Sequence, residues 1–231
     1  MKIVLLPGLD GTGLLFKPLL KALPKNIEVL IVSYPVDLKL SYEDLLEFVV
    51  KQLPDEKIVL LAESFSGPIA YQLALDIPEK IESIIFVASF INNPRKFIMF
   101  LSRFLPIRLL LLLPIPELIV KIFLFGFNIN KQMIDLFKQS IKQVQPEVLA
   151  FRLREISGLQ QCHNTSDIRV TYIQAQNDKL VPRCCLDEFR KVFSNVNVIK
   201  LSGAHFILQA APALCADTIV NSVVQTQTHS Q

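Results

Sequence analysis

Residues 58–67 read Ile58-Val59-Leu60-Leu61-Ala62-Glu63-Ser64-Phe65-Ser66-Gly67, and their reading decides the fold. The first five form a continuous apolar run, the pattern of a strand covered on both faces. From Gly67 onward Ala70, Leu73, Ala74 and Ile77 recur at helical spacing. Only a tight turn fits between the two, and Ser64 stands at its apex. Strand and helix approach closely at such a turn, so small residues are needed two before the apex and two and three after it. Ala62, Ser66 and Gly67 meet that need around Ser64. Centring the turn on Ser66 would put Pro68 and Ile69 in those places, which fits much worse. A serine that merely caps the helix is the competing explanation, so the rest of the chain has to decide.

The same rhythm runs outward from this stretch. Apolar runs at 2–6, 27–32 and 83–88 read as strands, and 14–23, 42–53 and 67–77 as helices. Ser41 is placed as an N-cap, with Asp44 three residues on. From Asn92 to about Ser157 the spacing predicts no strand. It predicts helical stretches broken by Pro106, Pro114, Pro116, Gly126 and Pro146. After Asp167 the rhythm returns, with strands at 169–174 and 196–200. A helix over 182–193 would carry Pro at its first position, and a last helix spans 212–224. The alternation predicts an α/β fold: a mostly parallel sheet of about six strands flanked by helices, joined by right-handed crossovers. Residues 1–91 and 158–231 are expected to form the core, and 92–157 a helical insertion.

Composition narrows the partners. The chain has 231 residues, a net charge of +3, 51% hydrophobic and 19% charged residues. That size suits one domain with an inserted subdomain. Lys and Arg are spread out, which argues against a nucleic-acid partner. The four cysteines, Cys162, Cys184, Cys185 and Cys215, show no metal spacing. The opening apolar run is too short for the core of an export signal. Reduced thiols in a cytoplasmic protein are therefore the expectation.

Open parallel sheets bind ligands at the carboxyl ends of their strands, so the loops there carry the argument. After the first strand come Pro7-Gly8-Leu9-Asp10-Gly11-Thr12-Gly13, with three of the seven glycines in the chain. No Gly-Lys-Ser/Thr follows and the dinucleotide order is absent, so a phosphate cradle is not indicated. A glycine-rich turn can instead aim a backbone N–H at a developing negative oxygen. The Leu9 and Phe65 N–H groups are the candidate donors; an ordinary turn is the alternative. After the fifth strand stand Gln176-Asn177-Asp178, and after the sixth Gly203-Ala204-His205-Phe206. Asp167 precedes its strand, Asp187 falls inside a helix, His163 lies in a polar stretch and His229 in the tail. Ser64, Asp178 and His205 alone share the ligand edge, in an order known for a nucleophile, its orienting acid and its base.

These four loops resemble those of the α/β-hydrolase family: Pro-Gly-Leu-Asp-Gly-Thr-Gly for the oxyanion loop, Ala-Glu-Ser-Phe-Ser-Gly for the nucleophile elbow, Asn-Asp-Lys-Leu-Val-Pro for the acid loop and Gly-Ala-His-Phe for the base. The likeness covers nearly all of the chain outside the insertion, where that family commonly carries a helical cap. It implies a fold shortened by its usual first two strands. Ala62 and Ser66 depart from the family, which usually has glycine there. The wording also resembles an esterase and acyltransferase branch acting on lipid-type acyl groups. The resemblance implies a serine hydrolase that cleaves carboxylic esters or thioesters through an acyl-enzyme, with no metal and no cofactor. An acyltransferase with the same three residues, a non-catalytic acyl-binding protein, and lyase or cofactorless oxygenase chemistry on the same scaffold are the alternatives. The most apolar stretch, 97–127, is interrupted by Arg103, Arg108, Glu117 and Lys121, so no run approaches the ~20 residues of a membrane span. It reads as a cap packed on the domain, as a lining for an acyl chain, or as a face resting on a membrane surface.

Overall fold

The computed structural model describes residues 2–94, 121–126 and 129–228. Its six strands are β1 (Lys2–Leu6), β2 (Glu28–Ile31), β3 (Ile58–Glu63), β4 (Ile81–Val87), β5 (Val170–Ala175) and β6 (Val196–Leu201). They form one sheet in the order β2-β1-β3-β4-β5-β6, and every neighbouring pair is parallel. Parallel neighbours need crossovers, and the helices supply them. α1 (Lys17–Ala22), reached through a 3-10 turn at Leu14–Phe16, follows β1. α2 (Tyr42–Val50) and α3 (Gly67–Asp76) follow β2 and β3. Helices α4 (Lys131–Gln143) and α5 (Pro146–Gly158) lie between β4 and β5. α6 (Cys185–Val192) precedes β6, and α7 (Ile207–Ala210) and α8 (Pro212–Thr228) close the chain.

Side chains alternate along a strand, and here both faces are covered. Val4, Leu6, Leu60 and Ala62 pack toward one core with residues of α2, α3 and α6. Ile3, Leu5, Val59 and Leu61 pack toward a second core with residues of α1 and α8. That is why β1 and β3 read as unbroken apolar runs rather than alternating ones. Strand order reverses between β1 and β3, the place where an open parallel sheet leaves a crevice. Leu6 and Ala62 are direct partners there, so the loop after β1 and the turn after β3 start side by side.

Two local expectations meet different fates. Ser41 does cap α2: its side chain accepts from the Asp44 N–H, and the Asp44 carboxylate accepts from the Ser41 N–H. The helix expected over 182–193 starts only at Cys185. Pro182 instead opens a turn, its carbonyl accepting from the Cys185 N–H, because the residues just before it hold a carboxylate described below. Among the described residues between β4 and β5, helices and no sheet strand are found. Most of the apolar 97–127 stretch, with Arg103 and Arg108, lies outside the described residues, as does His229. Among the described residues no helix is long and apolar enough to cross a membrane.

Candidate active site

The turn after β3 is strained where the sequence puts its serine. Ser64 has φ +47°, in the left-handed region that costs a non-glycine residue ~1 kcal/mol or more. Ala88, after β4, shares this conformation with φ +46°. Close packing holds both. The Ser89 hydroxyl donates to the Ser64 carbonyl at 2.7 Å, and the Tyr172 hydroxyl donates to the Ser89 carbonyl at 2.8 Å. A Cβ on Gly67 would stand 2.0 Å from the Phe90 carbonyl oxygen, so any side chain there would force the helix and the loop after β4 apart. Ser66 puts a hydroxyl at a position where the family usually has glycine. It donates to the Pro7 carbonyl and exchanges a hydrogen bond with the Tyr34 hydroxyl, tying the turn to the loop after β1.

The three side chains singled out in the sequence meet at this edge. His205 Nε2 lies 3.0 Å from Ser64 Oγ, and His205 Nδ1 lies 2.8 Å from Asp178 Oδ2. With Nδ1–H donating to the carboxylate, Nε2 is left to accept from the serine hydroxyl. The other carboxylate oxygen of Asp178 accepts from the Leu180 and Val181 N–H groups at 2.8 and 2.9 Å. This is why the loop is spent before Pro182 and the helix starts late. The acid and base loops are also joined to each other, the Asn177 N–H donating to the Gly203 carbonyl at 2.9 Å. The rival residues lie elsewhere: Asp167 accepts from the Ser194 hydroxyl, Asp187 pairs with Arg190, and His163 is exposed.

Burial and charge act against each other on the imidazole. His205 is 4% exposed, and burial pushes its pKa down. The Asp178 carboxylate, through its charge and hydrogen bond, and Glu63 at longer range push it up, and the net shift is upward. Glu63 itself, one residue before Ser64, is pushed up to about 7 by burial. The Gln209 amide donates to it at 2.8 Å, and that bond and the Gly8 N–H partly offset the burial. The sequence alone assigns Glu63 no role.

The oxyanion candidates lie in the turns that follow β3 and β1. Phe65 sits in the first turn of the helix that starts at Ser64, where N–H groups lack intrahelical partners. Leu9 lies in a turn closed by the Gly11 N–H donating to the Gly8 carbonyl at 3.0 Å. Asp10 braces the same loop by accepting from the Thr12 N–H and hydroxyl. On the far side of His205, the Phe206 N–H donates to the Leu124 carbonyl at 2.8 Å. Phe206 also packs with Phe125 and Phe137, at ring separations of 5.0 and 5.7 Å.

Comparison with known proteins agrees with this architecture. No curated protein sequence matches the chain. Among solved structures, it is similar to a bacterial membrane phospholipase A described as a virulence factor, with a TM-score of 0.81 at 12% identity over 98% of this chain and 79% of that one. It is similar to a carboxylesterase structure from the thaumarchaeon Nitrososphaera gargenis, with a TM-score of 0.74 at 14% identity over 99% and 91%. It is also similar to the type II thioesterase BorB of the borrelidin biosynthetic cluster, with a TM-score of 0.65 at 14% identity over 95% and 91%. Likeness at such low identity speaks for the fold. The family profile described as the alpha/beta hydrolase fold matches residues 39–210, well over half the chain and including Ser64, Asp178 and His205. The chain belongs to the α/β-hydrolase fold family.

Proposed function

We propose that this protein is a serine hydrolase that cleaves carboxylic esters or thioesters of an apolar acyl group. The observation that carries the reading is the hydrogen-bonded relay from Ser64 Oγ through His205 to Asp178. His205 takes the hydroxyl proton as Ser64 Oγ attacks the acyl carbonyl carbon. The carbonyl oxygen becomes an oxyanion, held by the Leu9 and Phe65 N–H groups. Each such donor in a dry site is worth ~3 kcal/mol to the transition state. His205 then returns the proton to the departing alcohol or thiol as its bond to the acyl carbon breaks. Water, deprotonated by the same imidazole, frees the acid and restores Ser64. Asp178 holds the imidazole in the required tautomer and balances its positive charge.

The Phe125, Phe137 and Phe206 cluster beside His205 favours an apolar acyl group. In this reading residues 92–157 act as the cap over it. The similar structures are described as a carboxylesterase, a membrane phospholipase A and a type II thioesterase, which supports an ester or thioester substrate. The test is hydrolysis of p-nitrophenyl esters of increasing chain length by the wild type and by Ser64→Ala. Turnover should be lost in the variant while its melting curve stays that of a folded protein. Full turnover in Ser64→Ala would refute the assignment. Product analysis with and without added alcohol separates hydrolysis from acyl transfer.

A further inference from the structure

The loop that carries Leu9 is gripped by a side chain from a distant helix. Arg152, in the middle of α5, is 2% exposed. Its Nη1 donates to the Leu9 carbonyl at 2.9 Å and the Asp10 carbonyl at 2.8 Å, and its Nη2 to the Pro35 carbonyl at 2.9 Å. The hydrogen bonds of this buried cation thus go to three main-chain oxygens rather than to a carboxylate. Burying a guanidinium costs several kcal/mol unless its donors are satisfied. A helix that needed only to pack here would carry an apolar residue, as it does at Leu149, Leu153 and Ile156.

The peptide geometry shows what the grip controls. No peptide bond here is cis, and in a trans peptide the carbonyl and the next N–H point in opposite directions. The Gly8 carbonyl is turned inward to the Gly11 N–H, so the Leu9 N–H is turned outward. That direction holds only while the turn keeps its shape, and the carbonyls of its two central residues are the ones Arg152 binds. The loop is moulded to the guanidinium: Gly11 has φ +71°, and a Cβ there would stand 2.5 Å from Nη1. The guanidinium carbon also lies 6.0 Å from the centre of the Phe65 ring. It therefore binds the carbonyl of one residue that would supply an oxyanion donor and faces the ring of the other.

We propose that Arg152 is a positioning residue that aims the Leu9 N–H at the oxyanion by clamping the Leu9 and Asp10 carbonyls. The inference rests on the acyl-transfer reading above. A thionoester, with sulfur in place of the carbonyl oxygen, is a poorer hydrogen-bond acceptor and so reports on this donor. Wild type, Arg152→Met and Arg152→Lys are titrated for reactive Ser64 with a fluorophosphonate. Then kcat and KM are measured on a p-nitrophenyl ester and its thiono analogue. Per titrated site, kcat on the oxygen ester should fall about a hundredfold in Arg152→Met and about tenfold in Arg152→Lys. KM should stay nearly constant, and the preference for oxygen over sulfur should shrink in step with kcat. A loss of kcat at unchanged oxygen preference, or no loss at all, would overturn the proposal and leave Arg152 as an anchor for α5. If Arg152→Met does not fold, the oxygen preference of Arg152→Lys decides by the same criterion. A wild type that neither labels nor turns over would bring down the acyl-transfer reading and this inference with it; an active wild type with an unchanged preference in the variants would bring down this inference alone.

Discussion

Replacing Gly67 with alanine sets two effects of known size against each other. Gly67 has φ −56° at the start of α3, an ordinary helical value. Propensity alone would therefore favour alanine by ~1 kcal/mol. Its Cβ, however, would stand 2.0 Å from the Phe90 carbonyl oxygen and 2.4 Å from Ser89 Oγ, where ordinary contact begins at 3.4 Å. Helix and loop would have to part by about 1.4 Å. Neither side yields easily, because Ser89 is bonded through its hydroxyl to Ser64 and through its carbonyl to Tyr172. Overpacking of this kind costs ~1–3 kcal/mol, so the clash outweighs the propensity. Ser64 lies three residues away, and a displacement of ~1 Å in a reacting group costs ~100-fold in rate. Urea unfolding should show a loss of stability, and fluorophosphonate labelling of the folded protein should slow about a hundredfold. Gly158→Ala is the matched control. Nothing lies within 4 Å of its added Cβ, so stability should be equal or better by up to ~1 kcal/mol, with labelling unchanged. A Gly67→Ala protein as stable and as reactive as the wild type would refute the packing argument.

Three further outcomes are expected. Because the His205 pKa is raised above its usual 6.5 and the base must be neutral, kcat/KM should fall as pH drops through a value above 6.5; an acid limb well below that would contradict the assigned surroundings of the imidazole. Glu63→Gln removes one of the charges that raise His205, so its acid limb should move to lower pH. Burial pushes Glu63 up to about 7 from the usual 4.5, so the folded state holds the extra proton between the two. Its stability is fully present below the lower value and lost as pH rises through the upper one. The wild type should therefore lose on the order of 3 kcal/mol between pH 4.5 and 8 that Glu63→Gln does not lose, as read from urea unfolding at several pH values. Ser41→Ala should cost ~1 kcal/mol by breaking the cap on α2, and Ser41→Asp should restore most of it; equal unfolding midpoints for all three proteins would refute the cap.

The four inner strands β1, β3, β4 and β5 were legible because each is buried on two faces, which leaves an apolar run with little ambiguity at its ends. The edge at which Ser64, Asp178 and His205 meet was legible from strand order alone, since each follows a strand. What escaped was chemistry hidden inside regular elements. Arg152 sits within a helix, yet it occupies a place on the buried stripe made by Val148, Leu149, Leu153 and Ile156. A lone arginine on such a stripe is the signal that would have found it. Glu63 ends an apolar strand next to the serine, where a buried carboxylate is costly enough to need a partner; Gln209, far along the chain, supplies it. The late start of α6 escaped because Pro182 signals a first helical position, while the claim of Asp178 on the Leu180 and Val181 N–H groups is a tertiary effect. Ala88 carries no local mark of its positive φ; it directly precedes Ser89, whose hydroxyl binds the Ser64 carbonyl.

The central claim is that Ser64 is activated by His205. Incubation with a fluorophosphonate, followed by intact mass and peptide mapping, tests it most directly. The account predicts one adduct on the peptide bearing Ser64, and none in His205→Ala under the same conditions. A folded wild-type protein that takes up no adduct, or an adduct that persists undiminished in His205→Ala, would contradict it.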